Sequence, residues 1–238
     1  MKVNILIPCF IDQFSPQTGF NMIKVLEKAG CKVHYHIEQT CCGMPAFNAG
    51  RWSDAREVGE KFLNETTTDK PLVCGASACT GVIRNSYDLL FQNSSFHVKY
   101  RNLQKQTFEL SEFLVDVLKF DNFGAVLNKK AFYMPSCQAR NVCKTITQPL
   151  QLLKNIEGLE LINIDFENEC CGFGGMFSVN NPELSFFMGK QIIDKVMNAG
   201  ADSIISTDYA CLMHLKAICT KQQLPINILH IADVLANF

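Results

Sequence analysis

Apolar and polar positions alternate along this chain in two rhythms, and the two take turns. Residues 3–7 form a short apolar run that reads as a buried strand. Phe20, Met22, Ile23, Val25, Leu26 and Ala29 then recur at near-helical spacing, with Asn21, Lys24, Glu27 and Lys28 on the other side and Gly30 placed to end the helix. Residues 31–37 alternate through Val33, Tyr35 and Ile37, as a strand does. Ser53 is a candidate N-cap for a helix carrying Ala55, Val58, Phe62 and Leu63. Residues 71–73 suit a short strand and residues 82–91 a helix.

The second half repeats the rhythm. Residues 131–134 and 159–164 are strand candidates. Asn181-Pro182-Glu183 opens a helix with a cap, a proline in the first turn and an acid near the positive end of the dipole. Leu184, Phe187, Met188, Ile192, Val196 and Met197 line that helix, and Gly200 can stop it. Residues 203–206 form another strand. This alternation predicts an α/β fold of two lobes related by a pseudo-twofold axis, each a mostly parallel sheet flanked by helices. The expected lobes are residues 1–120 and 121–238, joined through residues 121–130.

Composition narrows the function. The 238 residues are 47% hydrophobic and 19% charged, an ordinary globular balance. The net charge of −1 and the lack of basic runs give no sign of a nucleic-acid partner. The N-terminal apolar run is too short for a signal peptide and ends in Pro8-Cys9. No stretch reaches membrane-spanning length, so the expectation is a cytoplasmic protein without a transmembrane segment, with peripheral association at the inner face of a membrane left open.

The twelve cysteines change the picture most. Disulfide scaffolds are usually short, secreted and poor in core, and this chain is none of these. Eight of the twelve fall into a duplicated frame: Cys9, Cys41-Cys42-Gly43 and Cys79, then Cys137, Cys170-Cys171-Gly172 and Cys211. The gaps are 31 and 32 residues to the Cys pair, and 36 and 39 from the pair to the last Cys. Pro8 and Pro135 precede the first Cys of each set. The halves also end alike, in Leu110-Ser111-Glu112-Phe113-Leu114 and Ile231-Ala232-Asp233-Val234-Leu235.

In parallel sheets, ligands gather beyond the carboxyl ends of the strands. Cys9 and Cys137 lie there, and Cys79 and Cys211 follow later strands near helix starts, where the dipole favours a thiolate. Adjacent cysteines can face one centre only in a loop with unusual torsions, which Gly43 and Gly172 permit. Four thiols per half suit soft metals, as an iron–sulfur cluster or as zinc. The tight Cys-x2-4-Cys hairpins usual for structural zinc are missing, which leans toward a cluster and leaves zinc as the alternative.

The same frame resembles the CCG cysteine-rich domain found in heterodisulfide reductase and in the iron–sulfur subunits of glycolate and lactate oxidation systems, most closely the lactate-utilisation A type. The resemblance rests on Asp12-Gln13-Phe14, Leu26-Glu27, Gly30-Cys31, Cys41-Cys42-Gly43-Met44-Pro45-Ala46-Phe47-Asn48-Ala49-Gly50, Ser136-Cys137, Cys170-Cys171-Gly172-Phe173-Gly174-Gly175-Met176-Phe177-Ser178-Val179 and Cys211-Leu212-Met213. It covers nearly the whole chain. It implies an electron-transfer subunit of a multi-subunit system oxidising L-lactate to pyruvate. It further implies that Cys9, Cys41, Cys42, Cys79, Cys137, Cys170, Cys171 and Cys211 hold one or two clusters of the [4Fe–4S] kind, and that the partners are a ferredoxin-like iron–sulfur subunit and a third subunit. Family relatives also leave a heterodisulfide-reductase-like thiol/disulfide role, or glycolate-type 2-hydroxy-acid oxidation, as alternatives, and a zinc-stabilised interaction subunit is the non-redox one. The heterodisulfide reductase type ends its motif in Cys-x-x-Cys. Here Val82 and His214 stand at that fifth position, and Gln138 stands where relatives often have His.

Cys31, Cys74, Cys143 and Cys219 lie outside the frame and read as small buried apolar residues, Cys74 being the nearest to a ligand position. His214 is either a replacement ligand or a helix-surface residue. Arg51 and Arg140, next to Cys loops, read as solvated surface arginines.

Overall fold

The structure, a computed structural model, describes residues 1–167 and 169–238. It contains two four-stranded sheets of the same design. In the first, β1 (Lys2–Leu6), β2 (Lys32–Tyr35), β3 (Leu72–Cys74) and β4 (Thr107–Glu109) lie in the order β2-β1-β3-β4. In the second, β5 (Val126–Tyr133), β6 (Glu157–Leu161), β7 (Ser203–Ser206) and β8 (Asn227–His230) lie in the order β6-β5-β7-β8. Every pairing is parallel. The sequence repeat is therefore a repeat of topology, and helices connect the strands as parallel pairing requires.

Each sheet is covered on both faces. Helices Trp52–Glu65 and Tyr87–Phe91 close the outer face of the first lobe over Phe62, Tyr87, Phe91 and Tyr100, all fully buried. Helices Pro182–Asn198 and Tyr209–Gln222 do the same in the second lobe over Ile192, Ile193, Ile204 and Leu215. The inner faces share one core, in which Val3, Ile5 and Val73 of the first sheet join Ala131, Tyr133 and Ile205 of the second.

The two similar chain endings explain that shared core. Ile231–Leu235 packs against helix Pro16–Lys28 of the first lobe, where Asp233 accepts hydrogen bonds from Thr18 at 3.0 Å and Asn21 at 2.8 Å. In mirror fashion, the segment after β4 packs on helix Thr147–Lys154 of the second lobe, and Gln148 donates to Asp116 at 2.7 Å. Each lobe thus lends its last helix to the other.

Most predicted elements form, with shifted ends. Gly30 (φ +82°) and Gly200 (φ +78°) end their helices in the left-handed region, as expected. Ser53 lies inside its helix rather than capping it, because the turn begins at Trp52. Residues 82–91 divide into a wide π-type turn, Val82–Ser86, and the helix Tyr87–Phe91. No helix among the described residues is long and apolar enough to cross a membrane.

Candidate metal centre

The eight cysteines of the duplicated frame line one cleft, of about 290 Å³, between the carboxyl edges of the two sheets. Cys9 begins the helix that follows β1, and Cys137 lies four residues past β5. Cys79 and Cys211 are each the third residue of a helix that follows the central strand β3 or β7. The Cys pairs arrive on the loops after β2 and β6. The parallel order does this work: all these segments leave the same edge of their sheets.

Gly43 (φ +86°) and Gly172 (φ +83°) both take the left-handed conformation predicted for them. Each also packs too closely for a side chain. A Cβ would stand 3.0 Å from the Ala55 carbonyl oxygen at Gly43, and 2.7 Å from the Ser185 carbonyl oxygen at Gly172. The turn carries the amide of Gly43 to within 3.4 Å of Cys41 Sγ and that of Gly172 to within 3.5 Å of Cys170 Sγ.

The thiols meet in the same sequence in both lobes. Cys41 touches Cys9 and Cys42, and Cys42 touches Cys79. Cys170 touches Cys137 and Cys171, and Cys171 touches Cys211. Cys9 and Cys41 sulfurs are 3.9 Å apart. Within each set one sulfur is favoured as the thiolate. Hydrogen bonds from Cys42 and Cys9 hold the Cys41 thiol well below its ordinary value, and bonds from Cys137 and Cys171, aided by Arg140, do so for Cys170. Cys9 and Cys137 are pushed up, as donors to those thiolates and by burial. Among the described residues no three Cys, His, Asp or Glu side chains converge on one ion-sized point. Thiols at a cleft lined by Pro8, Phe10, Met44, Phe173 and Met176, two of them accepting backbone N–H bonds, are a donor set that suits a soft metal or an iron–sulfur cluster.

The remaining cysteines are buried, as their composition suggested: Cys31, Cys74, Cys143 and Cys219 are all nearly solvent-free. Cys74 also touches the Cys79 thiol, while donating to the Ala76 carbonyl at 3.4 Å. Among the described residues, the hydrogen-bond partners of the His214 ring are on Ser185 and not on a cysteine. Its Nε2 lies 3.3 Å from Ser185 Oγ and 3.2 Å from the Ser185 carbonyl, and Ser185 Oγ donates to the Gly172 carbonyl at 2.8 Å. It braces the Cys-Cys-Gly loop from behind. Arg51 is the surface residue expected, paired with Asp54. Arg140 is not. Its guanidinium is inserted beneath the loop before Cys170 and donates to the carbonyls of Phe166, Glu167 and Glu169.

The sequence assigned no role to two further polar groups of the cleft, Ser136, met only as part of the Ser136-Cys137 motif, and Asp208. Asp208 precedes helix Tyr209–Gln222 but does not cap it. Its carboxylate crosses to the first lobe, accepting from the Ala78 amide at 2.9 Å as well as from Ser136 Oγ. Asp three residues before Cys211, at a helix start, was the available signal.

The family model of the CCG cysteine-rich domain matches residues 3–84 and again residues 131–216. Lactate utilization protein A 1 of Bacillus mycoides is 35% identical over 237 residues, covering 99% of this chain and 96% of its own length. Lactate utilization protein A of Geobacillus kaustophilus is 34% identical over 235 residues, covering 99% and 98%. That of Macrococcus caseolyticus is 30% identical over 237 residues, covering 100% and 97%. Matched twice by one domain model and end to end by these relatives, the chain belongs to the CCG cysteine-rich domain family, in its lactate utilization protein A branch.

Proposed function

We propose that this chain is an iron–sulfur electron-transfer subunit of a system that oxidises L-lactate to pyruvate. The observation that carries the reading is the pair of equivalent thiol sets, Cys9, Cys41, Cys42 and Cys79 against Cys137, Cys170, Cys171 and Cys211, meeting at one cleft. Four thiols per lobe match the ligand count of a [4Fe–4S] cluster, so each lobe holds one in this reading. A bound cluster supplies one-electron redox chemistry.

The protein's own groups do the rest. Cys41 and Cys170 start as the thiolates of their sets, so metal loading displaces protons from the other thiols. The amides of Gly43 and Gly172 stabilise negative charge on those sulfurs. Apolar walls keep the cleft poor in water, which strengthens every electrostatic interaction inside it. Gly172, Ser185 and Arg140 hold the second Cys pair in place. The chain carries no Cys-x2-Cys-x2-Cys-x3-Cys-Pro run, so a ferredoxin-like iron–sulfur subunit and a third subunit are its proposed partners.

Anaerobic purification tests this reading. Iron and acid-labile sulfide in equal amounts, with an EPR signal on reduction, support it; colourless protein without iron refutes it. A second reading, reduction of a disulfide substrate, is favoured by the room in the cleft beside both thiol sets. Turnover of small disulfides by the iron-loaded protein separates the two.

A further inference from the structure

A buried acid at the junction of the lobes has no part in the thiol sets. Glu109 ends β4 and is fully buried. Its Oε2 accepts from the Ser111 amide at 2.8 Å and the Glu112 amide at 3.2 Å. Its Oε1 has no hydrogen-bond partner among the described residues. Tyr133 of β5, in the other lobe, is buried and feels the charge of Glu109, and its hydroxyl has no well-shaped hydrogen bond among the described residues.

The groups that face Glu109 are almost all acidic or neutral. Glu112 shares its helix start, and strand register sets Cys74 of β3 opposite it. Tyr133 of β5, Cys143 of the turn Ala139–Cys143 and Asp208 of the loop after β7 all feel its charge or exert charge on it. The positive group nearby is Arg84, and it is taken by Glu112 at 2.7 Å. A buried carboxyl without a cation of its own is held as the neutral acid. Burial pushes Glu109 up to about 8 against the pull of the Glu112 and Ser111 amides, and the charges of Asp208 and Glu112 push the same way as burial. Asp208, whose charge reaches Glu109, lines the cysteine cleft, and the helix Ser77–Gly81 that carries Cys79 packs against β4, the strand that Glu109 ends. On the other side, the Glu112 side chain is 16% exposed and reaches solvent.

We propose that Glu109 is the proton-accepting group of the centre, taking up one proton from the solvent side as one electron enters the thiol-lined cleft. The inference rests on the redox reading above and adds a residue to it. The balance is one electron, supplied by the reductant, and one proton, given up by water or a buffer acid at the solvent side: the donor's bond to hydrogen breaks, leaving hydroxide or the buffer base, as an O–H bond forms on the Glu109 carboxylate. On reoxidation the electron leaves and the proton returns to that base. Negative charge added to a low-dielectric interior raises the proton affinity of a nearby acid. Uptake is therefore confined to pH values at which Glu109 is ionised before reduction.

The test is a redox titration of the anaerobically purified protein, with dithionite as reductant and the EPR signal as readout, from about pH 6 to about pH 10. Wild-type protein should show a level midpoint potential at the acid end and a falling one as the pH passes through the Glu109 range. Glu109→Gln keeps an acceptor for the Ser111 and Glu112 amides and should give a level potential throughout. A falling potential in Glu109→Gln, or a level one in the wild type, overturns the inference while leaving the redox reading intact. A protein with no reducible centre overturns both. A reduced-minus-oxidised infrared spectrum of the wild type at about pH 9 needs no variant. A protonated-carboxyl band gained on reduction supports the proposal, and no gain contradicts it.

Discussion

The Asp208 carboxylate of the second lobe accepts a hydrogen bond from the Ala78 amide of the first at 2.9 Å, one residue before Cys79. A side chain of one half thus caps the cysteine-bearing helix of the other. Ser77 Oγ and Thr207 Oγ1, 3.2 Å apart, bridge the lobes beside it. The two thiol sets are held in fixed relation by these contacts rather than by the chain that joins them. Asp208→Ala strands the half-buried Ala78 amide and the buried Ser136 hydroxyl. The expected cost is about 2 kcal/mol, the usual penalty for unpairing buried groups. Denaturant unfolding measures it; an unchanged midpoint contradicts the role given to this contact.

Gly172 and Gly200 separate two effects of one substitution. Both have positive φ, but a Cβ at Gly200 meets nothing within 4 Å, whereas at Gly172 it meets the Ser185 carbonyl oxygen at 2.7 Å. Gly200→Ala should cost about 1 kcal/mol, the strain of a left-handed alanine. Gly172→Ala should cost more and lower iron content, because the Cys170-Cys171 loop must move. Equal melting temperatures for the two variants would contradict this packing account.

Arg140→Lys keeps the charge and loses the fork that serves three carbonyls. Iron bound by the second lobe should fall, while a Cys137→Ser background should show no further loss on adding the change. An additional loss in that background would mean that Arg140 acts outside the second thiol set.

Stability should depend on pH through Glu109. Its folded-state pKa, pushed up by burial to about 8, exceeds that of the unfolded chain. The folded form thus binds the proton more tightly, and stability falls as pH rises from the unfolded value toward about 8, then levels. Asp208, also raised by burial, has the same sign. His230 is lowered by burial and has the opposite one, losing stability as pH falls below its ordinary range. Urea unfolding of wild type and Glu109→Gln across this range isolates the first term. Each tenfold change in proton affinity is worth about 1.4 kcal/mol. Parallel curves would show that Glu109 is ionised throughout.

What was legible in the sequence was local. Gly43 and Gly172 beside paired cysteines announced a left-handed turn, and Asn181-Pro182 announced a helix start. The duplicated spacing announced two equivalent lobes. What was not legible depends on contacts distant along the chain. Asp208 reaches Ala78 across the lobes, and Asp233 reaches Thr18 and Asn21 in the other half; neither pairing leaves a periodic trace. Arg140 stands three residues after Cys137 with nothing in the local pattern to bury it, and only the fold places it under the loop before Cys170. The edge strands β4 and β8 run straight into the helices Leu110–Glu112 and Ile231–Leu235 with no break between, and parallel pairing with β3 and β7 supplies their order.

The central claim is that two thiol sets each hold an iron–sulfur cluster. The most direct measurement is iron, zinc and acid-labile sulfide per chain in anaerobically purified wild type, Cys171→Ser and Cys219→Ser. The account predicts about eight irons and eight sulfides in the wild type, as two [4Fe–4S] clusters require, about half in Cys171→Ser and no loss in Cys219→Ser. Zinc in place of iron, or equal iron in the two variants, would contradict it.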